Sequence, residues 1–338
     1  MGYEPQFSIN PRLLSLVETI AALRERIQGA AVELSWIPAL QKDTRTRNVH
    51  ASTAIEGNPL TLEQVRALDE GRELIASDDQ SNREVLNYFA GLRYVEKHAM
   101  KKAIRHEDLF ELHSILADSV MDQGSAGSYR KIQVRVGKHM PPAAADVSGL
   151  MFELLEWWNK KSSNISPVLS SAILHYQFEH IHPFADGNGR TGRALALWEL
   201  YRRGFDTHHI FSVDEYYWED RASYYAALDA VRREGEDLTG WLVYCAEGLR
   251  LTLEKAWLRV QAFSVKSPDK LVLRPKQEQL LKLLRDHGSM HPAELWQILM
   301  VSRQGAMDLL RPLLAAGLVE KIGGKKTGRY ALKKHEQI

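Results

Sequence analysis

The chain has 338 residues, enough for two or three domains, since a single core stops growing near ~250–300 residues. With 44% hydrophobic and 26% charged residues it is globular, which excludes a disordered chain. A net charge of +1 excludes a molecule built throughout to coat nucleic acid. The charge is uneven, however. Lys266 to Ile338 carries 14 Lys/Arg against 7 Asp/Glu, and the residues before it carry a net −6. An acidic body precedes a basic C-terminal module.

Cys245 is the only cysteine. No disulfide can form within the chain, which suits a reducing cytosol. The apolar run Trp241 to Tyr244 beside it marks a buried structural thiol rather than a nucleophile. The N-terminus has no basic stretch followed by an apolar core, and Gln6 stands where a myristoylation signal needs Ser or Thr. No apolar run approaches the ~20 residues that span a bilayer. The expectation is a soluble cytoplasmic protein with no membrane partner.

In chain order, residues 9–28 predict a helix, with Asn10 as cap and Pro11 in the first position. A second helical stretch runs from Ala30 to Ile55, with a candidate break near Pro38. Gly57, Asn58 and Pro59 stop it. Thr61 and Gln64 form a capping-box pattern for the next helix. Residues 79–98 and 106–120 predict two more. Lys131, Ile132, Gln133, Val134, Arg135 and Val136 then alternate, as a short strand or hairpin would. Helices follow over 147–158, 167–181, 191–203, 214–233 and 237–260. Residues 263–275 read as a linker. Three helices (276–284, 292–299 and 302–316) and a hairpin (318–322 with 329–332) then resemble a winged helix-turn-helix. The fold class is mainly α with a small β component. The domain division is an N-terminal helical region (1–110), a core (111–262), the linker and a C-terminal module (276–334).

Between two of those helices lies His182-Pro183-Phe184-Ala185-Asp186-Gly187-Asn188-Gly189-Arg190-Thr191-Gly192-Arg193. Gly187, Gly189 and Gly192 allow positive φ and close approach by a ligand. Backbone N–H groups at the following helix N-terminus make an anion site. Arg190 and Arg193, three apart, offer two guanidinium forks for phosphate oxygens. Asp186 is a hard oxygen ligand suited to Mg²⁺. His182 titrates near neutrality and can take a proton from a hydroxyl. Phe184 points inward as an anchor. Phosphoryl or nucleotidyl transfer to an alcohol needs this set. The glycines also match a dinucleotide fingerprint, but an apolar helix precedes them, not a strand. His175, Glu179, His180 and His182 could suggest zinc, but no HExxH motif or cysteine accompanies them.

The segment His182-x-Phe184-x-Asp186-Gly187-Asn188-Gly189-Arg190-x-x-Arg193 resembles the signature of the Fic family at every defined position, and the likeness extends over roughly residues 40–260. The resemblance implies a helical Fic-type fold and transfer of AMP from ATP to a Ser, Thr or Tyr hydroxyl of a protein, including itself. It implies His182 as base, Asp186 on Mg²⁺, and the stretch from Gly187 through Thr191 and Gly192 to Arg193 on the phosphates. Residues 131–136 match the family's flap, which would dock a target segment by strand addition. Ser52, Glu56 and Gly57, at the end of a stretch from about 45 to 57, resemble the family's inhibitory helix. Glu56 would pair with Arg193 and displace the outermost phosphate.

Tyr216, Tyr217, Tyr224 and Tyr225 are candidates for an adenine pocket, with an aromatic core as the alternative. Arg221 reads as a solvated or structural charge. Ser302, Arg303 and Gln304, with Lys325, Lys326 and Arg329, would be the recognition-helix start and basic wing if the C-terminal module binds DNA; docking on a protein is the alternative. Three readings follow: a self-inhibited adenylyltransferase; the same scaffold using another nucleotide donor or removing AMP; or a DNA-binding regulator whose Fic site senses nucleotide. A homodimer stays open.

Overall fold

The structure, a computed structural model, describes residues 2–30, 37–74, 78–137, 139–205, 209–264, 273–323 and 328–333. The chain folds as two units, 1–25 with 41–253 and 26–40 with 254–338.

The first unit is helical. α1 (Pro11–Gly29) starts where Asn10 Oδ1 accepts the Leu13 N–H at 2.8 Å. α2 (Ile37–Ile55) carries Pro38 in its first turn, where a missing N–H is harmless, so the proline does not break it. Ala30, where the sequence places the start of that stretch, is not helical; residues 31–36 lie outside the described residues, and the helix is described from Ile37. Gly57 then turns the chain at φ +101°. α3 (Leu62–Asp69) has the full capping box: Thr61 Oγ1 accepts from Gln64 N, and Gln64 Oε1 accepts from Thr61 N. α4 (Asp79–Lys97) and α5 (His106–Leu116) follow, α5 ending four residues before its predicted stop.

The predicted strand at 131–136 is reduced to a tip. Its only ladder among the described residues is an isolated bridge, Val136 N to His139 O (3.0 Å) and His139 N to Val136 O (2.9 Å). Lys138, between them, lies outside the described residues. The ladder cannot continue because Pro141 and Pro142 have no N–H to donate. Side chains hold the segment instead: Gln133 Nε2 donates to Pro141 O at 2.8 Å, and Arg130 Nη1 to Ile132 O at 3.1 Å.

α6 (Val147–Lys160), a short 3₁₀ turn (Ser162–Asn164), α7 (Pro167–Ile181) and α8 (Asn188–Arg202) form the centre, and α7 packs along α8. α9 (Asp214–Glu219), α10 (Arg221–Arg233) and α11 (Thr239–Ser264) complete the series. α7 is buried nearly all round, as its apolar sequence requires. Glu199 of α8 is fully buried and accepts from Trp158 Nε1 and Ser170 Oγ, both at 2.6 Å, and from Arg202 and Arg203. A buried charge so fully bonded fixes the register of α6, α7 and α8.

In the second unit, α12 (Pro275–His287), α13 (Pro292–Ile298) and α14 (Arg303–Ala315) enclose a leucine core around Leu280, Leu284, Leu295, Leu310 and Leu313. Ser302 caps α14 through Gly305 N. β1 (Ser289–Met290), β2 (Val319–Ile322) and β3 (Arg329–Leu332) form an antiparallel sheet in the order β1-β3-β2. Met290 faces Tyr330, and Lys321 faces Tyr330 from the other side. The sheet adds β1, two residues too short for any periodicity, to the predicted hairpin. Among the described residues no helix is long and apolar enough to cross a membrane.

Candidate active site

The twelve-residue segment joins the C-terminus of α7 to the N-terminus of α8. His182 is the cap of α7, in left-handed conformation at φ +50° and ψ +62°. That conformation turns the chain sharply and stores about 1 kcal/mol of strain in a residue other than glycine. Arg130 holds it there. Its Nε donates to His182 O at 2.8 Å, its Nη2 to Ile181 O and Pro142 O, and its backbone N to Pro183 O at 2.8 Å. A guanidinium on the last carbonyls of a helix also meets the negative end of its dipole.

His113 of α5 fixes the middle of the loop. Gly127 N–H donates to its Nδ1 at 2.9 Å, so Nε2 carries the proton and donates to Asp186 O at 3.0 Å. Burial pushes its pKa down to about 4, so the ring is neutral at pH 7. It stacks on Phe184 at 3.6 Å and 5°. Phe184 is fully buried, as expected. Asn188 closes the loop: its Oδ1 accepts from Phe184 N and its Nδ2 donates to Phe184 O, both at 2.9 Å. The Asn188 side chain is therefore committed to the loop, and only its backbone N–H faces an anion.

Gly187 alone of the three glycines has positive φ, +73°. Gly189 and Gly192 are helical, which corrects the expectation that all three relax the backbone. They are glycine because of their neighbours. A Cβ on Gly189 would collide with Glu56 Oε1, and one on Gly192 with Glu179 Oε1. Thr191 Oγ1 donates back to Gly187 O at 2.8 Å and is fully buried. No side chain caps the start of α8, which leaves its first N–H groups open to an anion.

Arg193 is fully buried. Its Nε donates to Ser52 Oγ at 2.7 Å, and its Nη2 to Ser52 O at 2.9 Å and Glu56 Oε1 at 2.8 Å. Ser52 and Glu56, four apart on α2 and its exit, thus reach the arginine together. Asp214 of α9 lies 3.9 Å from Arg193 Nε. Burial pulls the arginine's pKa down, but Glu56, then Tyr224, Asp214 and Tyr88, outweigh it and hold it well above its ordinary value. Arg190 is also buried, and Glu84 of α4 is 3.5 Å away. Its Nε and Nη1 have no hydrogen-bond partner among the described residues. Two buried donors without acceptors are an anion site in waiting.

Asp186 Oδ1 accepts the Gly187 N–H at 2.6 Å. Among the described residues no group of three His, Cys, Asp or Glu could hold a metal. A lone carboxylate beside an anion nest suits a Mg²⁺ that takes its remaining ligands from phosphates and water.

The four tyrosines divide. Tyr217 and Tyr224 are buried; Tyr224 Oη meets His175 Nε2 at 3.1 Å and Tyr217 Oη meets Cys245 Sγ at 3.4 Å. They belong to an aromatic core with Trp241 and Tyr244. Burial raises the Cys245 thiol pKa, so it stays protonated and inert, as expected. Tyr216 packs against Gly248. Tyr225 is exposed, carries Arg221 over its ring at 5.4 Å, and feels the charges of Glu56 and Arg193. Of the four, Tyr225 has the surface to meet a ligand.

In the second unit, Ser302, Arg303 and Gln304 are exposed at the start of α14. Arg329 is used within the sheet, donating to Ser289 Oγ at 3.2 Å and Ser289 O at 3.0 Å. Lys325 and Lys326 lie outside the described residues.

A left-handed histidine cap, an uncapped glycine-rich helix N-terminus and two buried arginines thus meet at one place. Residues 103–200 match the family model described as "Fic/DOC family". "Protein adenylyltransferase Fic" of Drosophila virilis is 35% identical over 198 residues, 57% of this chain and 40% of that protein. Its namesake in Culex quinquefasciatus is 33% identical over 256 residues, 72% of this chain and 49% of that protein. The chain thus spans less than half the length of these curated relatives. A solved Fic family protein from Desulfovibrio desulfuricans G20 superposes with a TM-score of 0.69 at 28% identity, covering 99% of this chain and 100% of that one. Fic-1 (residues 134–508) from C. elegans gives 0.66 at 26%, covering 75% and 74%.

Proposed function

We propose that this chain is a self-inhibited protein adenylyltransferase that moves AMP from ATP to a Ser, Thr or Tyr hydroxyl of a target protein. The observation that carries the reading is the Glu56 carboxylate, seated against Gly189 at the N-terminus of α8 and bonded to Arg193 at 2.8 Å. A carboxylate occupies the place where a phosphate would be stabilised by the same N–H groups and the same guanidinium. The names of the relatives agree with the chemistry.

In this reading His182 takes the hydroxyl proton as the target oxygen attacks the α-phosphorus. The bond from that phosphorus to the bridging oxygen breaks, and pyrophosphate leaves. The first N–H groups of α8, with Arg190, neutralise the developing charge; Arg193 joins them when Glu56 withdraws. Asp186 would hold Mg²⁺, which supplies charge neutralisation at the phosphates. Each charge-assisted bond released from Arg193 is worth about 1.5–3 kcal/mol, enough to bias ATP binding strongly.

The exposed segment 131–136 offers extended backbone for a target strand, and Tyr225 offers a ring for the adenine. The element order of the second unit supports a winged helix-turn-helix, with the start of α14 as its docking end. If Lys325→Glu with Lys326→Glu leaves binding to random duplex unchanged at low salt, the reading of this unit as a DNA binder fails.

Incubating the Glu56→Gly protein with labelled ATP and Mg²⁺, then measuring intact mass, tests the main reading. The expected result is one or more AMP adducts on itself or on a lysate protein. A Glu56→Gly protein that labels nothing sinks it, and an adduct from another nucleotide in a panel corrects the donor.

A further inference from the structure

Glu179 lies one turn before His182 on α7 and is buried, with its Oε2 3.6 Å from His182 Nδ1. The left-handed cap at His182 aims the imidazole back at its own helix, toward position i−3. His182 Nδ1 and Glu179 Oε1, both in this corner, have no hydrogen-bond partner among the described residues. A buried carboxylate without a bonded donor is costly, so a reason for its presence is needed. Burial raises the Glu179 pKa, yet His182 first, then His175 and Arg193, outweigh burial and keep it below the ordinary carboxylate value. The facing groups are therefore His175 and His182 of α7, Arg193 of α8 and Tyr224 of α10. Helix α8 leaves room for this carboxylate. Gly192 is helical, and a Cβ there would strike Glu179 Oε1 and crowd Phe178. The third glycine of the motif thus makes space for Glu179 rather than touching phosphate.

We propose that Glu179 is the positioning residue for His182. It accepts the Nδ1–H, which fixes the ring's tautomer and leaves the Nε2 lone pair facing the target hydroxyl. This rests on the reading of His182 as the base. When the hydroxyl proton moves to Nε2, the ring keeps its Nδ1 proton, and the imidazolium is stabilised by a carboxylate that stays ionised throughout. No other proton or electron moves. The 3.6 Å gap closes with a small side-chain rotation, as base–orienter contacts tighten on substrate binding. Glu179 reaches Arg193 electrostatically as well, so the base and the switchable arginine share one buried anion.

Two measurements test this on the full chain. Ring ¹⁵N NMR of histidine-labelled protein, with the His182 signal identified by its loss in His182→Asn, reads the tautomer. The expected form is protonated on Nδ1 and bare on Nε2. A neutral His182 protonated on Nε2 overturns the proposal, whatever the variants do. In a Glu56→Gly background, Glu179→Gln is expected to lower kcat for AMP transfer about 10²-fold, with KM for ATP within about twofold. Glu179→Asp, which keeps the charge, should recover part of that loss. A kcat within about threefold of the parent for Glu179→Gln overturns the proposal. If the Glu56→Gly parent transfers nothing, the tautomer still decides the pairing while the adenylyltransferase reading falls alone.

Discussion

The two halves of the segment from His182 to Arg193 are held in different ways. The first half is tied by groups that no ligand can displace. Arg130 grips the carbonyls of Ile181 and His182, His113 grips that of Asp186, and Asn188 bonds both backbone groups of Phe184. The second half is tied by charges from other helices. Arg193 answers to Ser52 and Glu56, and Arg190 has Glu84 at 3.5 Å as its acidic partner among the described residues. A phosphate competes directly with a carboxylate for a guanidinium, but it cannot compete with a stacked ring or a main-chain bond. His182, the base in the proposed reaction, thus belongs to the fixed half, and the proposed anion site to the exchangeable half.

Removing the base should break the comparison most visibly. His182→Asn keeps a side chain that tolerates φ near +50°, so the cap survives while the proton acceptor is lost. AMP transfer is expected to fall ~10²–10⁴-fold in a gel-based labelling assay, with the thermal midpoint nearly unchanged. His182→Ala should lose as much activity and about 1 kcal/mol of stability besides, because alanine is disfavoured in that conformation. Equal midpoints for the two variants would show that the cap is not strained. The opposite half gives the next effect. Glu56→Gly removes the carboxylate from Arg193 Nη2 and uncovers Gly189, and AMP transfer should rise roughly 10–100-fold, the equivalent of one charge-assisted bond. No rise in kcat/KM for ATP would mean that Glu56 does not compete with phosphate.

The exchangeable half was more legible in the sequence than the fixed half, for a physical reason. Charge pairs on one helix face obey local spacing, so Ser52 and Glu56 could be read as a unit, and their meeting with Arg193 followed from the family resemblance. The helix periodicities and the caps at Asn10 and Thr61 are equally local. Arg130 and His113 sit in no pattern at all. Their partners are carbonyls whose directions exist only after α7 and the loop have folded, more than fifty residues downstream. The glycines misled for the same reason. Spacing suggests backbone freedom at Gly189 and Gly192, but their requirement is set by Glu56 and Glu179 arriving from elsewhere. The strand at 131–136 showed the right alternation and lacked a neighbour able to donate hydrogen bonds to it.

A smaller effect is expected at the clamp of the fixed half. Arg130→Ala leaves the carbonyls of Ile132, Pro142, Ile181 and His182 without their donor. In the Glu56→Gly background kcat should fall about tenfold with KM for ATP unchanged, since the base loses its aim while the anion site is untouched. Lysine should rescue poorly, because one ammonium cannot span four carbonyls. A change in KM without a change in kcat would assign Arg130 to the exchangeable half.

Acid should weaken the fold around the fixed half in a way that isolates single rings. Burial holds both His113 and His175 at about 4, below the ordinary 6.5. The unfolded chain therefore binds protons that the folded chain refuses. Stability from each histidine is fully present above pH 6.5 and is lost as pH falls toward 4. The loss is about 2 kcal/mol per histidine by pH 5 and about 3 kcal/mol by pH 4. Asp214, whose pKa burial raises, opposes this with a gain on acidification. Thermal midpoints measured from pH 7 to 5 should fall less steeply in His113→Gln than in the parent, even though the variant starts lower for want of the stacked ring. Parallel lines would show that His113 already charges within the fold, and that the ring holding Asp186 is not the neutral donor its two bonds require.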